Sequence, residues 1–446
     1  MPLKTRPTTS QKIQSTLIVG LTILLMINYV TPVAVADAPT TWPQWRGQDQ
    51  NGYASGKSFP KQWSEVNGIA WSIDLPGLGG STPVIAGKHA FLTAGIDGKN
   101  TLLAIDTTSG VIDWQAAIGN DAGKNHKKGS GSNPSPVTDG DAVFAYFRSG
   151  DLGCVGVDGK SRWHVNLQKE FGEDTLWWDL GSSPMLTDDA VVVAVMQTGP
   201  SYVVAFDKSS GKLLWKTDRT LDAPKEAAQC YATPLNVTVG GKAMVAVMGA
   251  DHLTLHSADD GKELGRLGGF NPTRHEFFRS ISSPVAQGNL IVCPYARGAT
   301  VTAVNMEQLV AGKGADSIAW FRDDLGSDVP TPAAHDGRVY VVDDGKQSRG
   351  TVSCVALQTG ETIWEIQIPK SRIGFSSSPL LAGDHLYVTQ EDGTTHVLGP
   401  ISSDKPKLIA TNEVADTDQF TVASPVPAGD GLLIRTRHRL YKLSGK

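Results

Sequence analysis

A Ser/Thr-Pro pair, a short turn and an apolar strand recur together eight times along this 446-residue chain. The copies read STPVIAGKHAFLTA (Pro83), PSPVTDGDAVFAYF (Pro136), SSPMLTDDAVVVAV (Pro184) and ATPLNVTVGGKAMVAV (Pro234). They continue as SSPVAQGNLIVC (Pro284), PTPAAHDGRVYVV (Pro332), SSPLLAGDHLYVT (Pro379) and ASPVPAGDGLLIR (Pro425). Successive prolines lie 46 to 53 positions apart. Units of this size bury their apolar faces only against neighbouring copies, so the repeat sets the architecture before any single residue does.

A second phrase falls between the first. AIDTTSGVIDW ends at Trp114, VGVDGKSRW at Trp163, AFDKSSGKLLW at Trp215 and CVALQTGETIW at Trp364. An apolar run, a turn carrying Asp or Ser, a Gly and a Trp describe two strands joined by a tight turn, with Gly taking the positive φ. Each unit therefore holds four strands: Ser/Thr-Pro opens the first, a turn such as AGK or HDG leads to the second, and the Trp phrase supplies the third and fourth. Proline is tolerated at a strand start. Four short strands per period of about 50 predict an all-β, eight-bladed β-propeller of four-stranded blades. Copies four and seven lack the Trp, and copy five inserts VNMEQLVAGKGADSIAW before Trp320.

Copy eight stops at HRLYKLSGK, after three strands. Its fourth is expected from IAWSIDLPG, whose Trp71 matches the other strand-ending tryptophans. Pairing residues 69–75 with copy eight closes the ring with an N-terminal strand and removes an open edge. The propeller then spans 66–446, preceded by an N-terminal arm, 37–65.

Residues 1–36 have the order of a secretory signal peptide: Lys4, Arg6 and Lys12, an apolar run from Leu17 to Val30, then Ala34-Val35-Ala36. The run is short for a membrane span, which takes about 20 residues, so cleavage after Ala36 and a periplasmic or secreted product without a membrane span are expected. No Cys precedes Cys154, which excludes lipoprotein-type processing. Cys154, Cys230, Cys293 and Cys354 fall in separate repeats and are expected as buried free thiols. Net charge is −5 without long blocks of one sign, so nucleic acid is excluded as a partner.

The A-x-D-x-x-S/T-G-x-x-x-W phrase, with the SSPV-type starts, resembles the PQQ-like β-propeller repeat family over about residues 42–446. That family includes quinoprotein alcohol dehydrogenases and BamB-like outer-membrane assembly proteins. The opener WPQWRGQDQNG is similar to the start of many secreted bacterial propellers of this kind. The resemblance implies that Trp71, Trp114, Trp163, Trp215, Trp320 and Trp364 are docking residues packed between blades. For the quinoprotein enzymes it implies PQQ with calcium, the quinone held between a Trp and a disulfide of adjacent cysteines. This chain has no adjacent cysteines.

Fold does not decide function, and the other chemistry-bearing motifs fail. GKS at 159–161 lacks the leading Gly of a phosphate loop, HEFFR lacks the second His of a zinc protease, and GFSSS lacks the closing Gly of a nucleophile elbow. His252 and His256 lie about 13 Å apart along one strand, too far to share a zinc. What remains is a binding face. Arg148, Arg297, Arg349 and Arg437 follow the second strand of four units and are expected to face one axial funnel with Arg279, Trp177, Trp178 and Phe277. Such a funnel favours a small anionic ligand; the alternative pairs each arginine with Asp151, Asp179 or Asp328 on a solvated rim. Aromatic–arginine clusters also serve protein partners. The expected function is a secreted, non-catalytic binding or scaffold propeller without a cofactor, taking an envelope protein or another protein as partner. The alternatives are a PQQ-dependent oxidoreductase and a carbohydrate-binding module using Trp177 and Trp178 on a glycan.

Overall fold

The computed structural model describes residues 41–56, 59–124, 126–414 and 420–444. The proposed signal peptide and its cleavage site lie outside the described residues. Eight sheets follow one another along the chain, and seven take their four strands in sequence order. Blade 3 is typical: Met185–Leu186, Ala190–Val195, Tyr202–Asp207 and Leu213–Asp218, all antiparallel. The eighth takes Val426–Ala428, Gly431–Arg435 and Arg439–Ser444 from the C-terminus and Ile69–Asp74 from the N-terminus. Ile69 pairs with Leu443 and Ile73 with Leu440, so an N-terminal strand closes the ring.

Second and third strands are near-continuous apolar runs because both faces pack on neighbouring blades. AVVVAV and YVVAFD in blade 3 are buried almost throughout. The outer strand Ile69–Asp74 instead alternates half-buried and exposed residues. The core is a set of inter-blade layers: Phe144 and Leu152 of blade 2 cluster with Val191 and Val204 of blade 3. Each such side chain contributes about 1.5–3 kcal/mol on burial. The insertion of copy five forms the short helix Met306–Val310. All four cysteines are buried and free.

The two repeated phrases have separate mechanical roles. In the Trp phrase, Asp106 Oδ1 accepts the N–H groups of Thr108 and Ser109, as Asp207 accepts that of Ser210, holding the turn. The indole N–H of Trp71, Trp114, Trp163, Trp215 and Trp320 each donates to a carbonyl of the following blade, at 2.8–3.2 Å. Each ring lies against the glycine of the next copy: Gly110 on Trp71, Gly159 on Trp114, Gly211 on Trp163, Gly261 on Trp215 and Gly360 on Trp320. A Cβ at any of these would sit within 3 Å of the indole. Trp364 is buried and its N–H meets no partner among the described residues, the next blade having GPISS in place of the Asp–Gly turn.

The Ser/Thr-Pro phrase builds a closed belt around the axis. Thr82 N–H donates to Ser135 Oγ, Ser135 to Ser183, Ser183 to Thr233 and Thr233 to Ser283. Ser283 donates to Thr331, Thr331 to Ser378, Ser378 to Ser424, and Ser424 back to Thr82 Oγ1, all at 2.8–3.0 Å. Each hydroxyl oxygen accepts the backbone N–H of the belt residue one repeat before it, and the following proline has no N–H to satisfy. Beside the belt, the arm crosses the axis. Trp42 bridges to Ile85 and the Pro43 carbonyl accepts Thr138 N–H. Arg46 donates to the Pro332 and Pro379 carbonyls (3.0 and 2.6 Å), and Gln50 accepts Asn236 N–H. Tyr53–Ala54 then pairs in parallel with Leu381–Ala382. The arm is a plug.

Candidate functional site

At one end of the axis the loops enclose a cavity of about 510 Å³, floored by Trp45 of the arm and by belt residues such as Thr82, Ser183 and Ser378. Trp178, Tyr231 and Phe375 supply aromatic wall, and the charged groups on it are of both signs. Its walls come from the loops entering each first strand and from those joining second to third strands. Closed blades fix both loop sets, so the wall is set by the scaffold.

Most of its charges are already engaged. Arg279 makes a two-pronged contact with Asp328 at 3.2 and 3.0 Å, and its Nε lies 3.5 Å from Glu226. Glu226 in turn accepts the Trp178 indole N–H at 2.7 Å. Glu391 takes Lys128 and the Ser376 hydroxyl. Asp179 accepts His126 N–H at 2.7 Å, and His126 meets the Trp178 ring edge-on. Burial lowers the His126 pKa, favouring the neutral imidazole. Asp344 accepts the N–H groups of Asp328 and Val329 at 2.8 and 3.1 Å. Burial, with the Asp328 charge adding, still pushes its carboxyl up to about 7.

Two guanidiniums retain free donors. Arg349 donates one N–H to the Arg372 carbonyl at 2.8 Å, and its Nε is buried without a partner. Arg297, held at φ 57° after its strand, is exposed and meets no hydrogen-bond or ion-pair partner among the described residues.

Of the residues singled out by sequence, Trp178, Arg279, Arg297 and Arg349 line the cavity. Arg148 does not: it lies 3.8 Å from Asp174 and 3.7 Å from Asp179, in a small separate pocket. Arg437 stacks over Phe420 at 4.2 Å and donates to the Lys127 carbonyl. Trp177 and Phe277 stand exposed outside the cavity lining. The position two past the second strand is held by Arg148, Gln197, Asp251, Arg297, Asp344, Glu391 and Arg437 in blades 2 to 8. Arg349 therefore does not match the other three arginines; Asp344 occupies that register in blade 6, and Arg349 comes further along a longer loop. Asp344, Glu391 and Trp45 were missed. VVDDG and VTQED directly after second strands carried the signal for the two acids; nothing local in the arm marks Trp45.

Residues 62–199, 158–308 and 312–399 each match the family described as outer membrane protein assembly factor BamB. The chain belongs to that family. Among solved structures, BamB from Moraxella catarrhalis is similar at a TM-score of 0.57 and 16% identity, over 85% of this chain and 97% of that one. A europium-containing methanol dehydrogenase gives 0.64 and 13%, over 87% of each chain. Quinohemoprotein alcohol dehydrogenase from Comamonas testosteroni gives 0.63 and 13%, over 93% of this chain and 82% of that one. At these identities the likeness is one of fold. No curated protein sequence matches.

The resemblance to quinoprotein dehydrogenases implied adjacent, disulfide-bonded cysteines against the quinone, and this BamB-family chain has no adjacent cysteines. All four cysteines are buried in the body of the protein and none lines the cavity. Of the cavity's carboxylates, Asp328 and Glu391 are bound to cations and Asp344 to backbone amides. No helix among the described residues is long and apolar enough to cross a membrane.

Proposed function

We propose that the chain is a non-catalytic propeller of the cell envelope that holds a protein partner at the funnel end. One observation carries the reading: Trp177, Trp178 and Phe277 are 47%, 41% and 44% exposed around one strut, the turn Lys225–Ala228. Trp177 N–H donates to Gln229 Oε1 and the Trp178 indole to Glu226, while Ala227 N–H donates to the carbonyl of Glu276, next to Phe277. The strut braces the backbone beside Trp177 and Phe277 and ties the Trp178 side chain, and exposed aromatics are enriched at the centres of protein interfaces. Membership of a family described by an outer-membrane assembly factor, and the secretion signal expected from the order of residues 1–36, agree with an envelope location.

The test is capture from envelope extract by the wild-type protein, by Trp177→Ser/Phe277→Ser and by Leu213→Ser/Leu214→Ser, the last pair being exposed on an outer strand. A discrete partner retained by the wild type and the Leu pair, and lost from the rim pair, is expected. Equal capture by all three, or none by the wild type, removes the reading. Binding on a glycan array with no protein captured would favour the carbohydrate alternative.

A further inference from the structure

We infer that the funnel receives the free C-terminal carboxylate of a polypeptide partner, held by Arg297 and Arg349. The inference rests on the protein-binding reading and goes beyond it by naming the part of the partner that enters.

At the cavity the arm crosses the axis. Trp45 floors the cavity, and behind that ring the Arg46 guanidinium is tied to the carbonyls of Pro332 and Pro379. A segment entering along the axis meets the arm, so an internal stretch would need room to turn and return, whereas a chain end needs one strand's width. The mouth and the wall are continuous, because Trp178 belongs to both the exposed rim and the cavity.

The unspent hydrogen-bonding capacity is on the donor side. Asp328, Asp344 and Glu391 each accept two or more hydrogen bonds or ion-pair contacts from the protein itself. Arg297 offers its whole fork, and Arg349, with one N–H spent on the Arg372 carbonyl, keeps its other terminal N–H groups. Donors left over in a cavity call for an acceptor, and two guanidiniums call for an anionic one. A planar carboxylate matches the guanidinium fork, and a chain terminus brings that group together with the apolar side chains that the aromatic wall accepts.

The experiment uses the full chain and a random hexapeptide library synthesised twice, once with free C-terminal acids and once with C-terminal amides. Bound peptides are read by mass spectrometry and remade for titration. Enrichment from the acid pool, with the matching amides at least about tenfold weaker, is expected. Arg297→Gln should weaken the acids by a similar factor and leave the amides unchanged. Its melting temperature should match wild type, because Arg297 has no partner among the described residues to lose; Arg349→Gln repeats the test on the second fork. Equal enrichment of both pools, enrichment of amides carrying internal Asp or Glu, or no enrichment from either overturns the inference. Rim-dependent capture of a protein alongside any of those results would leave the partner reading standing and sink only the terminus.

Discussion

Gly211 and Trp163 account for each other. The glycine has φ +69°, and a Cβ there would lie 2.7 Å from the indole ring, so the position requires both the left-handed backbone and the missing side chain. Gly288 has φ +58° with nothing within 4 Å of its would-be Cβ. Gly288→Ala should therefore lose about 1–2 kcal/mol for its backbone alone. Gly211→Ala should lose about 1–3 kcal/mol more from forcing the blades apart, read by urea unfolding. Equal losses would mean that the ring contact contributes nothing. Asp344 makes a separate prediction at this scale. Its carboxyl is near 7 in the fold against an ordinary value of 3.8, so the folded state holds the proton more tightly. That contribution is full below about pH 4 and is lost as pH rises towards 7. Asp344→Asn cannot ionise, so its melting temperature relative to wild type should rise between pH 5 and pH 8; an unchanged difference would show that the group does not titrate there.

Among whole elements, the contact between the last and first blades is the informative one. Arg435 is 1% exposed and donates to the Ser81 carbonyl and hydroxyl and, at 2.7 Å, to the Thr93 carbonyl, all in the first repeat. Among the described residues no carboxylate pairs with it. Burial lowers its pKa to about 9, so it stays charged at neutral pH, its charge balanced by carbonyl dipoles. Arg435→Met should strand these acceptors, at about 1–3 kcal/mol for each buried group left unpaired, giving a clear fall in melting temperature; a change of only a degree or two would refute the lock. Little of this was legible in the sequence. Strand order and blade count were, because Pro, Gly and Trp punctuate each hairpin locally. The belt was not: each hydroxyl finds its partner a full repeat away, and nothing in SSP says which way the serine turns. The funnel was half legible. Register after the second strand located Arg297, but unequal loop lengths put Arg349 in the place that belongs to Asp344. The crossing of the axis by residues 42–54 follows from contacts to five different blades, which no local pattern encodes.

At the scale of the molecule, a ring of blades is only as strong as its one seam without covalent continuity, and here that seam is stitched at three radii. Near the axis, Ser424 N–H donates to Thr82 Oγ1 and completes the belt. Midway out, Arg435 reaches into the first repeat. On the outside, Ile69–Asp74 pairs with Arg439–Ser444, and Trp71 donates to the Thr107 carbonyl while lying on Gly110 of blade 1. The outer stitch is the one whose loss exposes an edge. Without it the backbone groups of Arg439–Ser444 that face Ile69–Asp74 would stand unpaired beside the apolar side chains of Leu440, Tyr441 and Leu443. Such an edge recruits another chain. Deleting residues 66–76 should therefore lower the melting temperature and convert the protein to dimers or larger species on size-exclusion chromatography. A synthetic peptide of residues 66–76, added during refolding, should restore the monomer by refilling the blade in trans. A deletion variant that stays monomeric and melts like wild type would mean that the belt and Arg435 hold the ring unaided, and that the N-terminal strand covers the seam without closing it.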